Sequence, residues 1–150
     1  MKKFHFNLEK ILNLRKYRER ETELELGRAI GELTEIERRI ADLALERLRA
    51  VEQRFSAGPR EAEIFSFDLY IRRLDHTRDK LLEAAARAEL KVEKARSLYL
   101  EASRDRKILD KLKDKREREY RKTIFTGEIK AADDISGGAA ARKQTGGVLL

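Results

Sequence analysis

The chain has 150 residues, of which 35 are Lys or Arg and 28 are Asp or Glu, so its formal net charge is +7. Charged residues make up 42% of the sequence, against about a quarter in an ordinary globular domain. There is one Pro, no Cys and no Trp. This composition is typical of long surface helices or coiled coil, and it excludes the strand-rich core of most enzyme folds, a disulfide framework and a cysteine nucleophile.

Targeting and membrane signals are missing from the sequence. No stretch approaches 18 apolar residues, and the N-terminal MKKFHFNLEKIL has neither an unbroken apolar segment nor a small-residue cleavage site. We therefore expect a soluble, cytoplasmic protein with no segment inserted directly in a membrane.

Two long helices are predicted along the first 125 residues. Asn7 can cap a first helix over residues 8–55, with Phe6 stapled onto Ile11. The segment 56–66 contains Gly58 and Pro59 and predicts a turn, and Ser66 can cap a second helix over residues 67–124. Residues 126–150 hold five of the eight glycines and predict a flexible tail after the hairpin domain of residues 1–125.

A heptad pattern runs through the second helix, with thirteen positions separated by alternating steps of four and three. Eleven of the thirteen are apolar, which predicts a left-handed supercoil against a partner helix. The positions are Phe67, Ile71, Leu74, Arg78, Leu81, Ala85, Ala88, Val92, Ala95, Tyr99, Ala102, Arg106 and Leu109. The first helix has apolar residues with the same alternating spacing, at Leu26, Ala29, Leu33, Ile36, Ile40 and Leu43.

Beyond Leu43 the pattern of the first helix becomes ambiguous. A strict continuation puts Arg47 and Arg54 in the seam, whereas the apolar stripe continues only after a shift of one residue, through Leu48, Val51 and Phe55. We expect part of this shifted stripe to face away from the second helix.

The short turn favours an antiparallel two-helix coiled-coil hairpin within one chain, the alternative being one helix per chain in a parallel dimer. In the hairpin two basic segments meet at the open end. Residues 1–20 and residues 104–123 each carry a net charge of +5, whereas residues 21–103 carry −3. The milder interpretation is that the basic residues late in the second helix only suit its dipole.

Catalytic and cofactor motifs are not found in the sequence. His5 and His76 have no metal-ligand spacing, Asp133 and Asp134 fall in the predicted tail, and the glycine pairs form no phosphate-binding loop. We therefore expect no enzymatic activity, no metal site and no cofactor, and a function carried by surfaces that bind other macromolecules.

Two segments of the chain resemble the FliJ family of the flagellar type III export apparatus. The opening FHFNLEKILNLRKYRERETELELGRA is similar to the family's aromatic residue followed by Leu-Glu-x-(Ile/Val/Leu)-Leu and Leu-Arg. The run ILDKLKDKREREY, followed by GEIKAADDIS, is similar to its basic segment and terminal Asp-Glu motif, with Asp134 in place of Glu. The resemblance covers roughly residues 4–135.

The resemblance implies a non-catalytic coiled-coil hairpin similar to the central stalk of rotary ATPases. It implies three partners: the export ATPase hexamer, the cytoplasmic domain of the export gate membrane protein, and export chaperones. It places the protein in the cytoplasm, peripheral at the inner face of the membrane at the flagellar base.

Carried onto this chain, the family's ATPase contact falls at the basic open end of the hairpin. The residues expected there are Arg15, Arg18, Arg20, Lys113, Arg116 and Arg118. The gate contact is expected at the shifted apolar stripe and the residues across from it, namely Leu48, Val51, Phe55, Phe67, Tyr70 and Leu74. For these six, ordinary packing in the seam is the competing interpretation.

Other classes of coiled coil remain as alternatives. A nucleic-acid-binding coiled coil would bind phosphates with its basic end. In this sequence Glu19, Asp114 and Glu117 partly neutralise the positive charge there. An adaptor coiled coil is a further option. We expect no nucleic acid partner.

Overall fold

The computed structural model describes residues 2–56, 58 and 60–146. Its regular structure over these residues consists of two α-helices, α1 (Glu9–Ser56) and α2 (Glu61–Thr145). The all-α fold class predicted from the sequence is therefore confirmed.

Contacts divide the chain into two compact units. Unit 1 comprises Met1–Arg15 and Asp105–Leu150, and unit 2 comprises Lys16–Arg104. In unit 2 the chain pairs Glu32 with Lys91 and Arg47 with Asp75, so the partner's number falls as the α1 number rises. The α1 and α2 segments of this unit are thus antiparallel within one chain, as the hairpin prediction requires.

The heptad predicted for α2 matches the burial observed along that helix. Of its thirteen positions only Arg78 is exposed. Five of them are buried: Leu74, Ala88, Val92, Ala102 and Leu109. A 3.5-residue period therefore identifies the face of α2 that packs on α1 in each unit.

The α1 helix keeps its strict register beyond Leu43. Arg47 and Arg54 are half-buried, whereas Leu48 is 54% exposed and Phe55 is 85% exposed. The arginines fit the seam because their aliphatic stems pack there while their polar heads find acceptors. Arg47 Nε lies 2.9 Å from Asp75 Oδ1, and Arg54 Nη1 donates to the Gly58 carbonyl at 3.0 Å. The shifted apolar stripe consequently points partly outward, as expected.

The start of α2 differs from the sequence prediction. The helix begins at Glu61, six residues before the predicted start at Phe67, and Ser66 does not cap it. Ser66 Oγ instead donates to the Ala62 carbonyl at 3.3 Å inside the helix. Glu61 and Glu63 in the first turn suit the positive end of the helix dipole. Gly58 has a positive φ of 75°, which glycine adopts without strain, and the predicted tip residue Pro59 lies outside the described residues.

The start of α1 is one residue later than predicted, at Glu9, whose N–H donates to the Phe6 carbonyl at 3.1 Å. Phe6 is 4% exposed and packs with Leu12 and Leu109. The predicted staple partner, Ile11, is 46% exposed. The aromatic ring therefore fixes the chain entry against α2 as well as against its own helix.

The C-terminal bound of α2 also differs from the prediction. The helix continues past residue 124 to Thr145, through the segment for which the sequence predicts a flexible tail. Ile124 is half-buried, but residues 125–137 and 139–146 are all exposed. Alanines and long charged side chains favour helix in this segment although its side chains stay exposed.

Candidate protein-interaction surfaces

The net charge of the chain belongs entirely to unit 1. This unit carries sixteen basic and nine acidic side chains, a net charge of +7. Unit 2 carries nineteen of each and is neutral overall. Unit 1 is therefore the part of the molecule that attracts anionic partners.

An apolar cluster holds the N-terminal segment onto α2 in unit 1. Phe6, Leu12 and Leu109 form its buried centre, with Phe4, Leu8 and Leu112 packed around them. The rings of Phe4 and Tyr120 lie 5.6 Å apart and tilted by 46°, and the Tyr120 hydroxyl donates to the Lys2 carbonyl. The residues before α1 thus form an ordered part of this unit.

Two of the six cations predicted to contact the ATPase link the α1 and α2 segments of unit 1. Arg15 Nη1 donates to the Asp105 carbonyl at 2.8 Å, and Lys113 Nζ lies 2.9 Å from Glu9 Oε2. The hydrogen bond that Lys113 donates to Glu9, together with the negative charge of Glu9, raises the pKa of Lys113. Arg15 and Lys113 therefore stabilise the packing of the α1 and α2 segments.

The other four predicted cations are exposed. Arg18 and Arg20 lie in unit 2, and Arg116 and Arg118 lie in unit 1. Arg118 Nε donates to the Asp114 carbonyl at 3.3 Å. Over the described residues, no salt bridge within 4 Å involves Arg18, Arg20 or Arg116. Arg116 and Arg118 are two residues apart, about 200° around the helix, so they point to opposite sides of α2.

A groove in unit 2 lies where the apolar stripe of α1 departs from the seam. Its volume is about 420 Å³. Leu48, Val51 and Leu74 line it, together with residues that the sequence analysis did not assign to a site: Ile40, Leu43, Ala44, Arg47, Asp75 and Arg78. Three of the six predicted gate-contact residues are thus brought together in one apolar depression.

Charged side chains form one wall of this groove. Asp75 Oδ1 lies 2.9 Å from Arg47 Nε and 3.4 Å from Arg78 Nη1. The hydrogen bond from Arg47 is the main cause of a lowered pKa for Asp75, and the positive charges of Arg47 and Arg78 add to it. The carboxylate therefore stays ionised and holds two guanidinium groups beside the apolar surface.

The remaining three predicted gate-contact residues lie outside the groove lining. Phe55 is 85% exposed near the end of α1, Phe67 is half-buried, and Tyr70 is 36% exposed. The Tyr70 hydroxyl donates to Glu46 Oε1, and this bond raises the pKa of Tyr70. Leu74 is 6% exposed, so it forms the floor of the groove and belongs to the seam as well.

The groove could have been found from one feature of the sequence. The strict heptad of α1 places Arg47 in the seam, and the neighbouring Leu48 is then turned partly away from it, at 54% exposure. Leu43 and Ala44 are one helical turn earlier, Ile40 is about two turns earlier, and all three line the groove.

Neither a metal cluster nor a membrane-spanning helix is found in the part of the chain that the structure describes. No group of three or more His, Cys, Asp or Glu residues there is arranged to hold a metal ion. No helix among those residues is both long and apolar enough to cross a bilayer.

Comparison with known proteins identifies one family. The family model described as "Flagellar FliJ protein" matches residues 4–145. Neither the curated proteins nor the solved structures give a match. The match covers nearly the whole chain, including the ordered N-terminal segment, both helices and the exposed end of α2. The chain therefore belongs to the FliJ family and is a coiled-coil protein associated with flagellar export.

Proposed function

We propose that this chain is a non-enzymatic component of the flagellar type III export apparatus that binds the export ATPase hexamer and raises its activity. In this proposal the exposed cations predicted for the ATPase contact lie in the pore of the ATPase ring. They are Arg18, Arg20, Arg116 and Arg118. The groove of unit 2 binds the cytoplasmic domain of the export gate, and the protein acts in the cytoplasm at the inner face of the membrane, at the flagellar base.

The charge distribution is the single observation that carries the ATPase contact. Unit 1 carries the whole net charge of +7, and residues 1–20 and 104–123, which include all six predicted cations, each carry +5. A partner with acidic groups would therefore be drawn to one part of this protein, with fast association that weakens as salt is added.

The placement of the cations suits a partner that surrounds the helix. Arg116 and Arg118 point to opposite sides of α2, so a flat partner surface could reach only one of them. Subunits arranged around a pore could contact both. Exposed ion pairs are individually worth about 0–1 kcal/mol, so we expect several such contacts to act together.

The groove supports the gate contact. It combines apolar side chains, Leu48, Val51 and Leu74, with the guanidinium groups of Arg47 and Arg78. Such a surface suits an amphipathic segment that places apolar side chains in the groove and a carboxylate near its charged wall. Contact with export chaperones is proposed from the family alone.

A binding experiment with matched variants tests the ATPase contact. Arg18, Arg20, Arg116 and Arg118 are changed together to Glu, and Arg15 is left in place because it bonds to the Asp105 carbonyl. The control reverses Arg49, Arg72, Arg73 and Lys80, which are also exposed and give the same change in net charge. We expect only the first variant to lose capture of the export ATPase in a pull-down.

Two results would argue against the proposal. Equal loss of capture in both variants would show that total charge matters and the predicted contact does not. Displacement of the ATPase by a nucleic acid competitor would favour the alternative of a nucleic-acid-binding coiled coil.

A further inference from the structure

A line of cations runs along α2 in unit 1 on the side away from α1. Lys107, Lys111, Lys115 and Lys122, here called the lysine stripe, fall within an arc of about 80° around the helix axis, together with Arg118. Between residues 107 and 122 every position of this arc is basic. The buried Leu109, which packs on Leu12, is about 160° from the centre of the arc.

The lysine stripe is not used by the fold. All four lysines are exposed, and over the described residues none has a salt bridge within 4 Å. Asp114 and Glu119 border the arc on its two sides but do not interrupt it. From Lys107 to Lys122 the stripe extends for about 22 Å, a convex cationic surface with no seam partner.

Two bulky apolar side chains continue the same arc. Phe125 is 65% exposed and Ile129 is 46% exposed, and both follow Lys122 along the line of the stripe. The next positions of the arc, Asp133 and Ser136, are polar. An exposed apolar pair at the end of a cationic stripe on a single helix face is typical of helices that lie at a membrane surface.

We propose that this face of unit 1 adsorbs to an anionic phospholipid surface. The lysine stripe lies over the headgroups, and Phe125 and Ile129 enter the boundary between headgroups and acyl chains. The four lysines and the apolar pair belong to neither the proposed ATPase contact nor the proposed gate contact, and only Arg118 of the arc is shared with the former. The lipid contact requires no membrane-spanning segment.

The chemistry of the side chains favours lipid over a protein or nucleic acid partner. Four of the five cations are lysines, whose ammonium groups act as mobile point charges. Specific recognition of a single carboxylate or phosphate instead favours arginine, whose planar guanidinium group donates two hydrogen bonds at once. The aliphatic side chain of Ile129 makes no polar contact with a phosphate backbone. Its burial among acyl chains, beside Phe125, would instead make the free energy of binding more favourable.

Vesicle co-sedimentation of the full chain tests this proposal. The vesicles contain phosphatidylcholine with phosphatidylglycerol, or phosphatidylcholine alone. One variant changes the four lysines of the stripe to Gln, and its control changes Arg49, Arg72, Arg73 and Lys80 to Gln, which removes the same charge from positions that do not share one line. A third variant is Phe125→Ala with Ile129→Ala. Circular dichroism checks that each variant remains helical.

We expect the parent to bind only the vesicles with phosphatidylglycerol. Because each lysine near such a surface contributes about fivefold to the affinity, loss of all four should weaken binding by the stripe variant about 600-fold, while the control keeps most of the parent's affinity. Removal of the apolar pair should weaken binding by about tenfold.

Three results would overturn the inference. The parent could fail to bind the anionic vesicles, or the control could lose as much affinity as the stripe variant. The third is that loss of Phe125 and Ile129 has no effect while the chain binds duplex DNA more tightly than vesicles, which would identify a surface for nucleic acid.

Discussion

Leu12 and Leu14 lie two residues apart in α1, yet their surroundings are opposite. The Leu12 side chain is fully buried between Phe6 and Leu109, whereas Leu14 is 67% exposed. The pair therefore allows the apolar cluster of unit 1 to be tested with the same substitution at two neighbouring positions.

We predict that Leu12→Ala lowers the free energy of unfolding by about 2–5 kcal/mol, because it leaves a cavity in the cluster. Leu14→Ala should change it by less than about 0.5 kcal/mol. Urea unfolding followed by circular dichroism measures both. Similar losses for the two variants would mean that the cluster around Phe6 does not form.

Asp75 provides a test of the groove wall through its titration. Its pKa is lowered chiefly by the hydrogen bond from Arg47, so Arg47→Gln should raise the pKa of Asp75 towards its ordinary value. A carboxylate with a lowered pKa stabilises the fold at neutral pH, and this contribution is lost as the pH falls through the folded-state pKa. The parent should therefore lose more stability on acidification than Arg47→Gln does.

Carboxyl NMR signals recorded against pH measure this change directly. Arg49→Gln is the control, because Arg49 is exposed and makes no salt bridge among the described residues. An Asp75 pKa that is the same in the parent and in Arg47→Gln would contradict the ion pair seen in the groove.

At the scale of single elements, α1 places two arginines in its packed face while the apolar side chains next to them are exposed. Its seam continues through Arg47 and Arg54, while Leu48, which lines the groove, and Phe55 are exposed. In α2 the neighbouring Leu74 stays buried in the seam. The groove is thus lined both by Leu74, which belongs to the seam, and by Leu48, which is expected to bind the export gate.

We predict that Leu74→Ala lowers stability by about 2–4 kcal/mol, since Leu74 is 6% exposed. Leu48→Ala should leave the melting temperature nearly unchanged but weaken binding to the cytoplasmic domain of the export gate. Thermal melting and a binding titration on each variant separate the two effects. If Leu48→Ala destabilises the fold as much as Leu74→Ala and binding is unaffected, the outward stripe is ordinary core.

The exposed end of α2 should behave differently from its packed part. Gly137 and Gly138 each lower helix stability by about 1 kcal/mol relative to Ala, and a Cβ atom at either position would meet nothing within 4 Å. Changing both to Ala should raise the helical circular dichroism signal without moving the main unfolding transition. A shift of that transition would show that residues 126–145 pack on the rest of the chain.

At the scale of the whole molecule, the elements follow from sequence periodicity, whereas the contacts require the register between helices. The heptad from Phe67 to Leu109 identifies the packed face of α2, because a 3.5-residue repeat has only one way to bury its apolar positions. The prediction that Ser66 caps α2 places the start of that helix too late. A serine hydroxyl can bond inside a helix as readily as at a cap. Neither the bond from Arg15 to Asp105 nor the salt bridge from Lys113 to Glu9 could be predicted, because both depend on which residues lie opposite each other.

The division of charge is also a property of the whole molecule. The sequence shows basic segments at both ends of the predicted hairpin, and the structure assigns the full +7 to unit 1 while unit 2 is neutral. Because the net charge lies in unit 1, added salt should weaken the proposed ATPase contact more than the proposed gate contact.

The steady-state rate of the export ATPase in the presence of this chain tests the central claim most directly. The parent and the control with Arg49, Arg72, Arg73 and Lys80 reversed should both stimulate hydrolysis, and the stimulation should fall as salt screens charges beyond about 8–10 Å at 0.1–0.15 M. Reversal of Arg18, Arg20, Arg116 and Arg118 together should abolish stimulation while the helical content stays unchanged. If this fourfold variant stimulated the ATPase as strongly as the parent does, the account would be contradicted. These four cations would then not be the contact with the ATPase.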